Sequence, residues 1–312
     1  MKRWLRLAAS FAILLGAIYL LDSHALRSAF QKLSVAGLAS AFLVTMMQFI
    51  VLGWRWYLIV QRVAPKSLLE HLKHYLVATF LNSFTPANLA GDVYRIVLLR
   101  SGAPGPPPVV CAVLQERFLG LLAYLVACVV LLVLTAVCEQ ALPGTFPPEL
   151  LIAGIAAAFG LIALLVSSAF LSGPLLKIKA LHRRPHLHET VKLLQRATAV
   201  RPVKTFLILV AYSALGIALW ISAVKLVAVD LELAVSWQAL GAVVVLTELM
   251  RMLPITIQGI GLREATFAYL LSLLGGQPES GFVLGAISYV ILSCALLGCG
   301  LMGWLSGAKS RK

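Results

Sequence analysis

The sequence predicts an all-α polytopic membrane protein, and three observations carry that prediction. Hydrophobic residues make up 61% of the chain and the mean hydropathy is +0.94, whereas soluble proteins are about half apolar or less. The apolar residues fall in runs long enough to cross a bilayer, separated by short polar stretches. Lys and Arg collect in alternate polar stretches, as the positive-inside rule expects. The net charge of +14 therefore points to membrane topology and away from a nucleic-acid partner. A single integral membrane domain over 1–312 is expected.

The N-terminus is basic, with Lys2, Arg3 and Arg6, and an apolar run follows over 7–21. With Ser23-His24-Ala25 behind it, this run has the outline of a signal peptide. A chain embedded throughout needs no separate export signal, so a retained first span is expected, with 26–33 as a short external link. The run 35–60 is the second span. Trp54-Arg55-Trp56-Tyr57 marks its end, with aromatics at headgroup level and Arg55 snorkelling to the inner face.

A helical pattern over 68–84 runs into Asn82-Ser83-Phe84-Thr85-Pro86-Ala87-Asn88-Leu89-Ala90-Gly91-Asp92-Val93-Tyr94-Arg95. Pro, Gly and small polar residues end one helix, and Asp92 suits the positive end of the next. With a Pro/Gly loop at 101–108, the stretch 68–100 reads as a hairpin that enters from the inner face and returns to it. Gln115-Glu116-Arg117 opens a span to about 137, and an external loop follows to Glu149. The Ala- and Gly-rich run 150–171 is a span suited to close helix packing.

The largest polar segment, 177–204, holds Lys177, Lys179, Arg183, Arg184, Lys192, Arg196, Arg201 and Lys204 against Glu189. It reads as an inner, topology-setting loop or as a surface helix on anionic headgroups. A span over 205–229 ends at Asp230 and Glu232, with Lys225 placed to snorkel outward. The run 236–253 leads into a second break, 265–274 leads out of it, and 282–305 is the last span before a basic tail.

The second break reads Leu253-Pro254-Ile255-Thr256-Ile257-Gln258-Gly259-Ile260-Gly261-Leu262-Arg263-Glu264. In lipid every backbone polar group needs an internal partner, so a broken helix survives only in protein or beside a cavity. The helix-breaking residues are Pro86, Gly91, Pro254, Gly259 and Gly261. Pro86, Gly91 and Arg95 are spaced as Pro254, Gly259 and Arg263 are, and each member of the second set lies 168 residues after its counterpart. Two related halves are expected, approximately 1–140 and 150–312, joined by an external loop. The first hairpin opens inward, while the second break is flanked by external loops. The halves would then be inverted, the layout of many transporters with a site near the midplane. The expected count is about six full spans plus two re-entrant hairpins, or eight spans if the second break joins two full ones. The inner segments hold nearly all the cations, against Arg27 and Lys32 outside, which places both termini inside.

The chemistry gathers at these breaks. Glu248, Arg251, Arg263 and Glu264 surround the second; Asn82, Asp92 and Arg95 flank the first, with Glu116 and Arg117 after it. Charges at membrane depth are costly and so are candidates for function. A guanidinium fork suits phosphate, and Gly-opened helix N-termini offer backbone donors to the same anion. Together they would make a phosphate-headgroup site; Arg263 pairing with Glu248 or Asp92 to hold the breaks together is the structural alternative. No metal, cofactor or catalytic site is spelled. The His182, His186 and His188 cluster lies in a basic loop without acidic or Cys partners for a metal. The five cysteines (Cys111, Cys128, Cys138, Cys294, Cys299) form no CxxC pair. There is no G-x-S-x-G and no nucleotide loop, and Asn82, Ser83, Asp92 and His74 make no catalytic motif, so no enzyme is expected.

Asn82-Ser83-Phe84-Thr85-Pro86 with Ala90-Gly91-Asp92-Val93-Tyr94-Arg95, then Glu116-Arg117-Phe118-Leu119-Gly120-Leu121, then Leu253-Pro254-Ile255 with Gly259-Ile260-Gly261-Leu262-Arg263-Glu264-Ala265 resemble the lysylphosphatidylglycerol synthase transmembrane-region family, also called flippase-like. The resemblance covers nearly the whole chain; Thr85-Pro86 stands where Leu-Pro is usual. In larger relatives this membrane region precedes a synthase domain and moves its aminoacylated lipid across the bilayer. The sequence ends at Lys312 with no such domain, so the family name is not expected to describe an activity of this chain. The resemblance implies a lipid translocase in a bacterial-type cytoplasmic membrane, for a phosphate-bearing or isoprenoid lipid. Arg263 and Arg95 would bind phosphate in turn, oriented by Asp92, Glu248 and Glu264. Two alternatives stand beside it: a non-transporting partner of a lipid-modifying enzyme, and an ion-coupled small-solute transporter.

Overall fold

The computed structural model describes residues 3–83, 85, 89–99, 108–138, 146–175, 202–252, 256 and 259–309. Pro86, Pro254 and nearly all of the basic loop 177–204 lie outside them. The described residues form eleven helices and no strand. In chain order these are α1 (Arg3–Leu20), α2 (Ser23–Gln31), α3 (Val35–Val60), α4 (Leu68–Asn82), α5 (Ala90–Leu98), α6 (Pro108–Cys138), α7 (Pro148–Leu175), α8 (Val203–Asp230), α9 (Trp237–Met252), α10 (Leu262–Leu273) and α11 (Pro278–Lys309). Four of them, α3, α6, α8 and α11, are long and apolar enough to cross a bilayer.

Helix ends follow from local chemistry. Ser34 precedes α3 and its Oγ accepts the Gly37 N–H at 2.9 Å. Ser67 and Glu70 form a reciprocal capping box at the start of α4, satisfying two of the donors that a helix start leaves bare. The link expected at 26–33 is mostly helical. Asp22 accepts the His24 N–H at 2.8 Å and starts α2, which lies at 97° to the end of α1. The span expected to open at Gln115 begins earlier, because Pro108 is well tolerated in a first helical turn. Glu116 and Arg117 therefore sit two turns inside α6.

The packing interleaves the two parts of the chain. The longest seam joins α3 to α8; α4 packs on α11, and α9 packs on α6. Leu240 through Val245 of α9 are all buried, the mark of a helix enclosed by protein on every side. Close approach uses glycine. A Cβ on Gly91 would stand 2.0 Å from the Ala78 carbonyl oxygen, so α5 folds directly onto α4. Val203 follows Val35 by 168 residues, Trp237 follows Leu68 by 169, Leu262 follows Ala90 by 172, and Pro278 follows Pro108 by 170. The order α3–α6 is thus repeated in length and spacing by α8–α11.

Candidate functional site

At the first break, the end of α4 and the start of α5 are tied by side chains. Asn82 Oδ1 accepts the Gly91 N–H at 2.7 Å, and Thr85 Oγ1 accepts the Ala90 N–H at 3.0 Å. Asp92 lies in the first turn of α5, so the helix dipole favours its charge. Its two oxygens accept from Arg95 Nη2 at 2.6 Å and from Arg117 Nε at 2.5 Å. The other outer nitrogen of Arg95, Nη1, donates to Glu116 Oε2 at 2.5 Å. The guanidinium carbon also lies 4.2 Å from the ring centre of the fully buried Trp56, a favourable cation–π position. Both acceptor-seeking ends of Arg95 are occupied by protein carboxylates. Arg95, Asp92 and Glu116 are buried.

Arg55 belongs to the same network. Its Nη1 donates to Ser213 Oγ of α8 at 2.8 Å, and its Nη2 stands 3.6 Å from Glu116 Oε1. The sequence expectation that Arg55 snorkels to a headgroup is overturned: the residue is 7% exposed. The neighbouring tryptophans read as an interface belt, but α8 and α6 cover that face of α3 and supply a hydroxyl and a carboxylate. Lys225 is part-buried and donates to the Val235 carbonyl in the turn that follows α8, the end of the helix toward which the sequence expected it to reach.

The second break is built differently. Gly259 and Gly261 adopt φ of +79° and +80°, the left-handed region that side chains with a Cβ avoid. These turns bring the chain into α10 with Arg263 and Glu264 in its first turn. Glu264 Oε2 accepts the Gly261 N–H at 2.8 Å and is spent on capping. Glu248 Oε2 accepts from Arg251 Nε at 2.9 Å and Nη2 at 2.6 Å, and the Trp220 side chain hydrogen-bonds to Glu248 as well. Arg263 reaches Glu248 Oε1 only at 3.6 Å, too far for a hydrogen bond. Its guanidinium lies 5.2 Å from the Tyr289 ring centre. Arg263 is 1% exposed, yet Nε, Nη1 and Nη2 all lack a hydrogen-bond acceptor.

A cavity of about 360 Å³ lies beside it. Its polar lining draws on both breaks and on α11: Thr79, Asn82 and Ser83 from α4 and its end, Arg251 from the end of α9, Arg263 from the start of α10, and Tyr289 and Ser293 from α11. Of the nine residues singled out in the sequence, the structure brings Arg263, Arg251 and Asn82 to the cavity wall, with Glu248 behind the two arginines. Asp92, Arg95, Glu116 and Arg117 form the separate network of the first break, and Glu264 closes the N-terminus of α10. Tyr124 of α6 stands within electrostatic reach of Glu248, Arg251 and Arg55. Tyr289 and Ser293 were not singled out, because nothing in a mid-span Tyr or Ser distinguishes a cavity wall from a helix seam. Among the described residues, no three His, Cys, Asp or Glu side chains come together as a metal site.

The family model described as lysylphosphatidylglycerol synthase TM region matches residues 4–298. No curated protein and no solved structure matches the chain.

Proposed function

The chain belongs to the lysylphosphatidylglycerol synthase TM-region family, and from that premise we propose that it is a lipid translocase without catalytic activity of its own. In this reading it moves a phosphate-bearing lipid between the leaflets of the cytoplasmic membrane. The observation that carries the reading is Arg263: a buried guanidinium without a hydrogen-bond acceptor, facing a cavity lined by both chain breaks. A buried charge left without acceptors costs several kcal/mol, and a ligand oxygen in the cavity would supply what the protein withholds. The fork of a guanidinium matches phosphate.

The topology in this proposal is an inverted repeat. The pairs α4/α5 and α9/α10 are re-entrant hairpins from opposite faces, and about six helices cross fully. Both termini are cytoplasmic. The equal spacing of α3–α6 and α8–α11 and the sign of the loop charges support this arrangement. Acyl chains would stay in lipid while the headgroup passes along the polar ends of the hairpins. Membrane lipids are the partners in this mechanism.

The test is translocation by the purified protein in liposomes that carry fluorescent phosphatidylglycerol. An outside quencher reads the accessible fraction over time, with Arg263→Ala beside the wild type and circular dichroism as the folding control. Wild type should take accessibility beyond one leaflet, and Arg263→Ala should match empty liposomes. If folded wild type also matches empty liposomes across anionic lipids and with an imposed gradient, the transport reading fails. The scaffold alternative, acting through the basic loop 177–204, would then lead.

A further inference from the structure

The walls of the cavity are graded, and the grading says more than that an anion fits. At its deep end lie Arg263, 1% exposed, and Arg251, held by Glu248. Along α11 the lining passes from Tyr289, whose ring centre is 5.2 Å from the Arg263 guanidinium, through Leu292 and Leu296 to Leu297, about two turns further on, and Phe49 and Phe80 add to the apolar wall. Leu297 is 59% exposed and belongs to α11, a helix apolar enough to span the bilayer. Its outward face is therefore a lipid-facing face. The cavity runs from the buried Arg263 and the part-buried Arg251 toward the hydrocarbon, between α4 and α11.

Size and charge narrow the occupant. A water takes up about 30 Å³, so a cavity of about 360 Å³ has room for roughly a dozen heavy atoms. The five heavy atoms of a phosphate group leave more than half of it to the apolar wall. The described lining carries two guanidiniums and no carboxylate, which selects a net negative head. The first half of the chain shows what Arg263 lacks. Arg95, which closes the same Pro/Gly/Arg spacing in the sequence, has a carboxylate oxygen on each outer nitrogen, at 2.5 and 2.6 Å. The phosphate of a ligand would stand to Arg263 as Glu116 and Asp92 stand to Arg95.

Resting on the lipid-handling reading above, we infer that this cavity is a lateral site for an anionic amphiphile. The phosphate head sits on Arg263 and Arg251, the tail leaves past Leu296 and Leu297 into the bilayer, and Leu297 lines the mouth. A free anion from water satisfies the same guanidiniums but leaves the apolar end unfilled. The site thus separates phosphate esters carrying a hydrophobic tail from phosphate alone.

The experiment is equilibrium binding to the purified full chain in detergent, by calorimetry or thermophoresis. The probes are dioctanoyl phosphatidic acid, dioctanoyl phosphatidylcholine and inorganic phosphate. Phosphatidic acid should bind at least about tenfold more tightly than either of the others, the step that about 1.4 kcal/mol buys. Arg263→Gln, which keeps hydrogen-bond donors but removes the charge, should weaken it by at least about tenfold, the scale of a lost charge-assisted hydrogen bond. Leu297→Trp, a change at an exposed position that leaves the fold intact, should weaken phosphatidic acid by narrowing the mouth.

Inorganic phosphate binding as tightly as phosphatidic acid would make this a solute-anion site and overturn the inference. So would equal binding of phosphatidylcholine, or phosphatidic acid binding that ignores both substitutions in folded protein. Selective, Arg263-dependent binding without movement in liposomes would sink the transport reading alone. Movement in liposomes without such binding would sink this inference alone.

Discussion

Arg95 and Arg263 close the same Pro/Gly/Arg spacing, 168 residues apart, yet Arg95 lies in the last turn of α5 and Arg263 in the first turn of α10, and their removal should affect stability differently. Arg95→Met takes away hydrogen bonds of 2.5 and 2.6 Å to two buried carboxylates and the contact over Trp56. Removing one partner of a buried pair costs about 3–5 kcal/mol. Asp92 keeps Arg117, and Glu116 keeps Arg55 at 3.6 Å, which puts the cost near the lower end, about 3 kcal/mol. At about 2–4 °C per kcal/mol for a larger domain, Arg95→Met should melt roughly 6–12 °C lower. Arg263→Met loses no hydrogen bond. Glu248 is already neutralised by Arg251, and the contact over Tyr289 contributes about 0.5–2 kcal/mol. Against that stands the desolvation of a guanidinium, worth several kcal/mol. Arg263→Met should therefore be neutral or more stable by up to about 2 kcal/mol, while losing lipid binding. Tryptophan-fluorescence melting and SDS titration in one detergent measure both variants against wild type. If Arg263→Met melts as low as Arg95→Met, Arg263 is a strut and its reading as a ligand-binding residue is refuted.

Three further outcomes are expected. Gly91→Ala drives a Cβ to 2.0 Å from the Ala78 carbonyl oxygen; backbone cannot yield there, so the melting temperature should fall by the equivalent of about 2–3 kcal/mol. Gly261→Ala forces an L side chain into φ of +80° and to 2.7 Å from the Ser10 carbonyl oxygen. It should cost about 1–2 kcal/mol for the backbone alone and make α1 more sensitive to protease. The exposed pair Lys32–Glu232, with Nζ to Oε2 at 2.5 Å, gives a pH signature. The hydrogen bond and charge of Lys32 hold the Glu232 carboxyl below its ordinary value. A depressed carboxyl stabilises above its unfolded value and loses that contribution as pH falls through the lower folded one. Glu232→Gln should flatten that part of the acid limb of a melting-temperature profile and leave the neutral region nearly unchanged.

The helices and their breaks were legible because periodicity and punctuation act locally. Pro and Gly interrupt apolar runs, and the starts of α8–α11 follow those of α3–α6 by 168 to 172 residues, close to the 168-residue spacing of Pro86, Gly91 and Arg95 from their counterparts. Candidate residues at the breaks were legible for the same reason: charges in apolar sequence stand out. Their pairing was not. Nothing local says that Glu116 binds Arg95 while Glu264 turns back to its own helix start. Arg55 shows the limit most clearly. Between two tryptophans it has the composition of a membrane boundary, and only the seam with α8 makes it an interior residue. The first turns of α6 were misread because a Pro-rich stretch spells both a loop and a helix start. The asymmetry between Arg95 and Arg263 depends on carboxylates that arrive from other elements, so equal spelling concealed unequal environments.

The network at the first break also bears on biosynthesis. Four of its charged members lie close in the chain: Asp92, Arg95, Glu116 and Arg117 fall within one stretch, and the bonded Asp92 and Arg117 are 25 residues apart. Interleaved contacts are far longer, with Arg55 reaching Ser213 across 158 residues and Ser34 reaching Asp230 across 196. As the ribosome feeds the chain into the membrane, Asp92, Arg95, Glu116 and Arg117 can neutralise one another before α8 has been made. Charges that would stall insertion one by one enter the bilayer as a paired set. Arg263 emerges beside Glu248 and Arg251, after those two have already found each other.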